Sequence, residues 1–339
     1  MKMEFKSRRT IAFCAVLFVC ACAFGFEWKR SSPEESGIKR EVIENVFSSF
    51  DDDVFSCVII RDGKIVNEYF KKGYGRSSVF TLQSCSKSIT SALVGIAIEQ
   101  GYIKSVDDYA ADYLPELAKT KYPAMKKITL KQLLNQTSGL LGTDSKIWSQ
   151  WRSSSNWIDF ILSRPMTANP GSYFEYSTGN THLLSAIVEN ATGKKLLDYA
   201  KEVLFSKIGI SSAELGTDPQ GIGDGGNGFS MTAYDMGRFG QLFLNNGKWD
   251  GVQVVPEKWV KDSTSVQARR NGSRYGYQWW LRNYGKEGYL GYNAQGYGGE
   301  YIFVVPQLNL IVVYTSWHQG NVDSYFYNVD KIVNATKVR

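Results

Sequence analysis

Two serines stand three residues ahead of a lysine, at Ser36–Lys39 and at Ser84–Lys87. Positions i and i+3 share one face of a helix, so this spacing sets a hydroxyl beside an amine. Burial lowers the proton affinity of a lysine until its neutral amine can take the proton of a neighbouring serine. A serine at a helix N-terminus also has free N–H groups and the positive end of the dipole near it, which favour an oxyanion. The chemistry so described is attack on a carbonyl by a serine that needs no histidine.

Context separates the two pairs. Ser36 lies in Pro33-Glu34-Glu35-Ser36-Gly37, ahead of a polar, amphipathic segment, and reads as an ordinary helix N-cap. Ser84 lies in Thr81-Leu82-Gln83-Ser84-Cys85-Ser86-Lys87-Ser88, directly ahead of an apolar helix, and Lys87 is the only charge between Arg76 and Glu99. A lone lysine at the mouth of an apolar helix is a candidate for a shifted pKa. Cys85, in mid-motif and without a histidine, reads as a bystander.

Other chemistries lack their residues. The chain has two histidines, His182 and His318, too few with its cysteines for a usual His/Cys zinc site. It has no Gly-x-Ser-x-Gly elbow, Walker loop or Gly-x-Gly-x-x-Gly fingerprint. His182 falls in the apolar helical pattern of Leu183, Leu184, Ile187 and Val188 and reads as structural; His318 follows a strand and stays open. Asp51-Asp52-Asp53 reads as a solvated turn. No metal and no cofactor are expected.

The elements that must position Ser84 and Lys87 follow from periodicity. Phe55 to Arg61 and Lys64 to Phe70 are β-rich runs joined by Asp62-Gly63, a strong hairpin signal. Ser88 to Gln100 reads as a long helix closed by Gly101. Helical patterns then alternate with Gly-, Ser- and Asn-rich loops to about residue 270. Strands return at Tyr275 to Leu281, Tyr301 to Val305 and Leu310 to Ser316, and a helix from about Asp323 closes the chain. Strands at both ends with helices between predict an α+β fold: one antiparallel sheet built from both termini (about 54–72 and 275–316), flanked by helices, with a mostly helical insertion over about 84–270. Trp148, Trp151 and Trp157, with Tyr275, Tyr277, Trp279 and Trp280, are candidates to line an apolar groove, Tyr275, Tyr277 and Trp279 alternating onto one strand face.

Residues 1–25 stand apart. Lys2, Lys6, Arg8 and Arg9, an apolar run from Ile11 to Ala23, and Ala21-Cys22-Ala23 form the pattern of a secretory signal, leaving 26–339 as the folded domain and predicting a periplasmic or secreted protein. A retained anchor, or a lipid at Cys22, is the route by which membrane attachment stays open. Without these residues the formal net charge falls from +6 to +3, since four basic residues and one acidic residue go. With no Lys/Arg stripe, nucleic acid is not an expected partner. Cys57 and Cys85 are then the remaining cysteines, too few for a disulfide framework.

From these residues outward the sequence resembles the serine β-lactamase-related family, which includes class C β-lactamases, DD-peptidases, esterases and 6-aminohexanoate-oligomer hydrolases. The resemblance rests on Ser84-Cys85-Ser86-Lys87-Ser88, Leu133 to Leu140, Phe174 to Asn180, Met231 to Met236 and Gly298-Gly299-Glu300-Tyr301, which occur in the family's order over nearly the whole domain. It implies a β-lactamase/DD-peptidase-like fold and an acyl-enzyme on Ser84, with Lys87 helping to deprotonate it. Tyr176 would share the proton transfer, a neighbouring ammonium favouring its phenolate. Two motifs depart from the family pattern. Thr178 stands where the second motif commonly has an asparagine, with Asn180 two residues on. No lysine lies between Lys286 and Lys331, where the third motif's cation would grip a substrate carboxylate. Tyr297 and Gly298 remain as backbone partners of Ser84 in an oxyanion hole. The resemblance therefore favours a small-molecule or short-peptide ester or amide as substrate. A catalytically weak recognition module, or a DD-peptidase or β-lactamase, is the alternative.

Overall fold

The computed structural model describes residues 26–144, 147–318 and 323–338; the expected signal, with Cys22, lies outside them. A nine-stranded sheet runs in the order Lys29–Arg30, Lys64–Phe70, Val54–Arg61, Leu310–Ser316, Tyr301–Val305, Tyr289–Gln295, Trp280–Tyr284, Ser273–Tyr275 and Ala268–Arg270. All neighbours are antiparallel except the first pair. The central contact joins the two ends of the chain, Val58 opposite Val313. The α+β sheet assembled from both termini is thus the one the sequence predicts.

The first hairpin turns at Asp62 and Gly63, both at positive φ (50° and 71°), the geometry whose twist suits a two-residue hairpin loop. Alternation along the central strands splits the apolar residues between two faces. Ile59, Phe303 and Val312 face the helices Arg40–Ser48 and Asp323–Asn334, through Ile43, Val46, Val329 and Ile332. Val58, Ile60, Ile302 and Val313 face the larger core, which includes the helix Ala233–Leu244 and the helical region beyond it. Among the described residues no helix is long and apolar enough to cross a membrane.

Two local expectations are corrected. Ser36 is not a helix cap: the helix starts at Arg40 with Lys39 as N-cap, and Ser36 lies in the preceding turn, where its carbonyl accepts from the buried Arg61 guanidinium. Tyr275 to Leu281 is not one strand. Gly276 N–H donates to the Trp279 carbonyl at 2.8 Å and Gln278 takes φ +66°, so a tight turn separates two strands. A Cβ on Gly276 would lie 1.9 Å from the Ser263 carbonyl oxygen, which is why the chain turns at that glycine. Tyr277 and Trp279 consequently pack in the core rather than along a groove.

Candidate active site

Ser84 sits in a single 3-10 turn, Gln83–Cys85, that runs straight into the helix Ser86–Glu99. Gln83 takes φ +48°, a left-handed conformation that costs a non-glycine residue about 1–2 kcal/mol and here turns the strand Val79–Thr81 abruptly into that helix. The helix is buried through nearly all its length, because its small polar residues find partners inside the protein. Ser88 Oγ donates to the Gln278 carbonyl (2.6 Å), Thr90 Oγ1 to that of Gly225 (2.8 Å) and Ser91 Oγ to that of Tyr277 (2.8 Å). A rigid, buried helix therefore carries Lys87 inward while Ser84 at its mouth stays partly exposed.

Lys87 is 1% exposed, and its Nζ makes three contacts of 2.8 Å: to Ser84 Oγ, Thr178 Oγ1 and the Gly226 carbonyl. Burial drives its pKa down to about 8, against the carboxylates of Asp144 and Asp224, which pull it up. At that value a useful fraction of the amine is neutral near physiological pH, and the arrangement can take a proton from Ser84.

Tyr176 precedes the helix Thr178–Thr192, and its ring centroid lies 5.0 Å from Lys87 Nζ. The ring stacks on Trp280 (5.6 Å between centroids) and meets Tyr275 edge-on. The expectation that Lys87 would favour a phenolate here is reversed. Burial pushes the Tyr176 phenol well above its ordinary value, Tyr275 and Asp144 add to this, and a hydrogen bond with Ser84 opposes it without winning. Tyr176 is therefore a neutral phenol that keeps its proton in the resting site.

The third-motif loop lies against the turn that carries Ser84: a Cβ on Gly296 would stand 2.5 Å from the Leu82 carbonyl oxygen and 3.1 Å from Gln83 Cβ. Gly298 and Gly299 both take positive φ, and the Gly298 carbonyl is fixed by His318 N–H (2.7 Å) and Ser316 Oγ (2.6 Å). Among the described residues no carbonyl accepts from the backbone N–H of Ser84 or Tyr297. The Tyr297 side chain is 66% exposed and meets Trp317 edge-on at 6.1 Å.

Several expected site residues belong elsewhere. Trp151 is fully buried and Trp157 nearly so. With the half-buried Trp148 they pack around the Arg152 guanidinium, 4.0 Å from the Trp157 ring centre, and Arg152 in turn donates to Asp224 at 2.6 Å. The tryptophans thus brace an ion pair, and Trp151 cannot touch a substrate. Thr178 is fully buried between Lys87 and Asp144 instead of facing a ligand. Asn180 is buried too, accepting from Ser138 Oγ and donating to Gln136 Oε1. His182 is structural, its Nε2 2.9 Å from Asp218 Oδ2, whereas His318 Nδ1 lies 3.1 Å from Asp53. Cys57 and Cys85 are free thiols whose pKa values burial raises, so neither is an activated nucleophile. Asp144, Asp224 and the Gly226 carbonyl were not marked by any spacing in the sequence. Asp144 reaches Lys87 from one loop, and Asp224 and Gly226 from another, the turn before the strand Phe229–Thr232.

The family model for beta-lactamase matches residues 46–336. The chain belongs to the beta-lactamase family. It is a serine hydrolase of that family, similar over 289 residues to the 6-aminohexanoate-dimer hydrolase of Paenarthrobacter ureafaciens, at 26% identity, covering 77% of this chain and 72% of that one. Among solved structures, the Bacillus anthracis protein provisionally designated a 6-aminohexanoate-dimer hydrolase shares the fold at a TM-score of 0.76 and 24% identity, over 91% of this chain and 86% of its own. EstCE1, described as a hydrolase with promiscuous acyltransferase activity, shares it at 0.73 and 16% identity, over 88% and 99%. A Ser84–Lys87 pair inside a beta-lactamase-family fold is the setting in which the site's chemistry has to be read.

Proposed function

We propose that this chain is an exported serine hydrolase that forms an acyl-enzyme on an ester or amide substrate through Ser84, Lys87 and Tyr176. The observation that carries the reading is the 2.8 Å contact between Ser84 Oγ and the amine of a lysine whose pKa burial has lowered to about 8. In the first step Ser84 Oγ bonds to the carbonyl carbon while its proton passes to Lys87. The oxyanion is held by the N–H groups of Ser84 and Tyr297. Tyr176 gives its phenolic proton to the leaving alcohol or amine as the carbonyl–heteroatom bond breaks, and recovers a proton from Lys87. Water then attacks the acyl carbon by the reverse sequence, restoring the Ser84 hydroxyl.

A substrate without an obligatory carboxylate is favoured, because residues 287–330 contain no lysine or arginine beside the oxyanion loop. The relatives' designations, a 6-aminohexanoate-dimer hydrolase and a hydrolase with acyltransferase activity, support acyl transfer from an amide or ester and do not bear on the carboxylate. Export rests on the pattern of residues 1–25, and N-terminal sequencing of protein recovered outside the cytoplasm tests it.

The test of the chemistry is labelling with a fluorophosphonate probe alongside hydrolysis of a nitrophenyl ester. Ser84→Ala is expected to abolish both. Full retention of either activity by that variant overturns the assignment, and release of D-alanine or hydrolysis of nitrocefin at enzyme-like rates would replace ester hydrolysis by the peptidase or lactamase reading.

A further inference from the structure

Asp144 is an exposed residue on the loop that follows Gly142 and Thr143, at the N-terminus of the helix Thr178–Thr192. Its Oδ2 accepts from the Thr178 backbone N–H and from Thr143 Oγ1 (3.1 Å), and its Oδ1 accepts from Thr178 Oγ1 at 2.6 Å. A carboxylate can only accept, so the single hydroxyl hydrogen of Thr178 is committed to Asp144. The lone pair of Thr178 Oγ1 is left facing Lys87 Nζ at 2.8 Å, and the Gly226 carbonyl, also 2.8 Å away, can likewise only accept.

A neutral amine has two hydrogens and one lone pair. Both hydrogens are claimed, by Thr178 and by Gly226, and the third direction leads to Ser84 Oγ. We propose that Asp144 is a positioning residue: by fixing the Thr178 hydroxyl it forces the lone pair of neutral Lys87 onto the Ser84 hydroxyl and so sets the direction of proton transfer. This inference rests on the Ser84–Lys87 reading above. A group able to donate from the position of Thr178 would instead capture the Lys87 lone pair and idle the base.

The charges around Lys87 bear on the test. Asp144 faces it from the loop 142–144, Asp224 from the turn before Gly226, Cys85 from the turn Gln83–Cys85 and Tyr176 from just before the helix Thr178–Thr192. Cys85 and Tyr176 are neutral, since burial raises both pKa values, and Asp224 is offset by Arg152. The Asp144 carboxylate raises the proton affinity of Lys87, opposing its burial. Removing it therefore moves the Lys87 titration to lower pH.

The experiment measures the second-order rate of fluorophosphonate labelling against pH, with thermal melts to verify folding, for wild type and for Asp144→Asn, Asp144→Ala, Thr178→Val and Thr178→Ser. The asparagine is isosteric. Its carbonyl must face the Thr178 backbone N–H, which turns its NH₂ toward Thr178 Oγ1 and reverses the hydroxyl toward Lys87. Asp144→Asn, Asp144→Ala and Thr178→Val are each expected to lower the plateau rate at least tenfold. The two Asp144 variants also move the acid limb to lower pH, and Thr178→Ser stays within about threefold of wild type. Combining Asp144→Ala with Thr178→Val adds little further loss, because both break one chain of bonds. A folded Asp144→Asn with wild-type plateau and limb, or fully additive losses in the double variant, overturns the proposal. Ser84→Ala run in parallel keeps the two readings apart. If it still labels, the Ser84 assignment fails; if it does not label while Asp144→Asn matches wild type, the role of Asp144 alone fails.

Discussion

Lys87 Nζ lies 2.8 Å from Ser84 Oγ, yet the lysine is buried while the serine is partly open to solvent. The two ends of one hydrogen bond thus sit in different environments. The dry end lowers the proton affinity of the amine, and the wet end admits a substrate. The predictions about the pH dependence of the rate turn on that difference.

The first concerns pH. On the proposed mechanism the active form of Lys87 is the neutral amine, and its pKa is depressed to about 8. The rate constant kcat/KM for ester hydrolysis should then rise with pH, about tenfold per unit below 7, and level off above 8. Lys87→Arg keeps a cation but cannot deprotonate, so it should lose activity by about three orders of magnitude rather than rescue it. A rate independent of pH between 6 and 9 would sink the role given to Lys87.

Glu300 offers a second, separable titration. It is 2% exposed, its Oε2 has no hydrogen-bond partner among the described residues, and burial raises its carboxyl from 4.5 to about 8. The folded state holds this proton where the unfolded chain has lost it, so the group's contribution is intact below about pH 4.5 and is lost as pH rises toward 8. Glu300→Gln, which is never charged, should match wild type near pH 4.5 and exceed it at pH 9 by an amount on the order of a few kcal/mol. Melting curves of both proteins across that range measure it. The acid limb assigned to Lys87 must persist in Glu300→Gln; its disappearance would transfer that limb to the glutamate.

How far the sequence foretold these features depends on the range of the interactions. The Asp62-Gly63 turn, the apolar helix after Ser84 and the strand runs at 301–305 and 310–316 are local signals, and they were legible because each element's own residues dictate it. The pairing of Val58 with Val313 was legible only as a consequence of strands at both ends. The misread strand at 275–281 shows the limit. Alternation of Tyr275, Tyr277 and Trp279 is a genuine period of two, overridden by Gly276 pressing against the Ser263 carbonyl, a contact no local pattern encodes. Likewise the tryptophans at 148–157 were read by type, whereas their place around Arg152 depends on Asp224, some seventy residues on. Asp144 and Gly226 reach Lys87 through tertiary contacts alone.

Substrate preference gives a third prediction. Paired nitrophenyl esters that differ only by a carboxylate on the acyl chain should be hydrolysed with kcat/KM values within about tenfold of one another. A fixed cation contacting such a group would be worth about 1.5–3 kcal/mol, or more than tenfold, and no lysine or arginine occurs in 287–330 to supply it. A hundredfold preference for the carboxylate ester would require a cation reaching the loop from elsewhere and would refute the proposed substrate class.

The ion pair between Arg152 and Asp224 supplies the last prediction. Asp224 is almost wholly buried, Arg152 donates to its Oδ2 at 2.6 Å, and its other oxygen, Oδ1, has no hydrogen-bond partner among the described residues. Arg152→Ala leaves that carboxylate in the interior without its counter-ion, a change that costs about 3–5 kcal/mol for a fully buried pair and less here, since Arg152 is one-third exposed. A loss of about 2–3 kcal/mol in chemical denaturation is expected. The same change leaves the field of Asp224 on Lys87 unopposed, which raises the lysine's proton affinity and moves the acid limb to higher pH. Asp144→Ala should move that limb the other way. Opposite shifts in the two variants, measured by the same pH–rate titration, would mark Lys87 as the group both carboxylates act on; shifts in one direction would mean that the limb belongs to another residue.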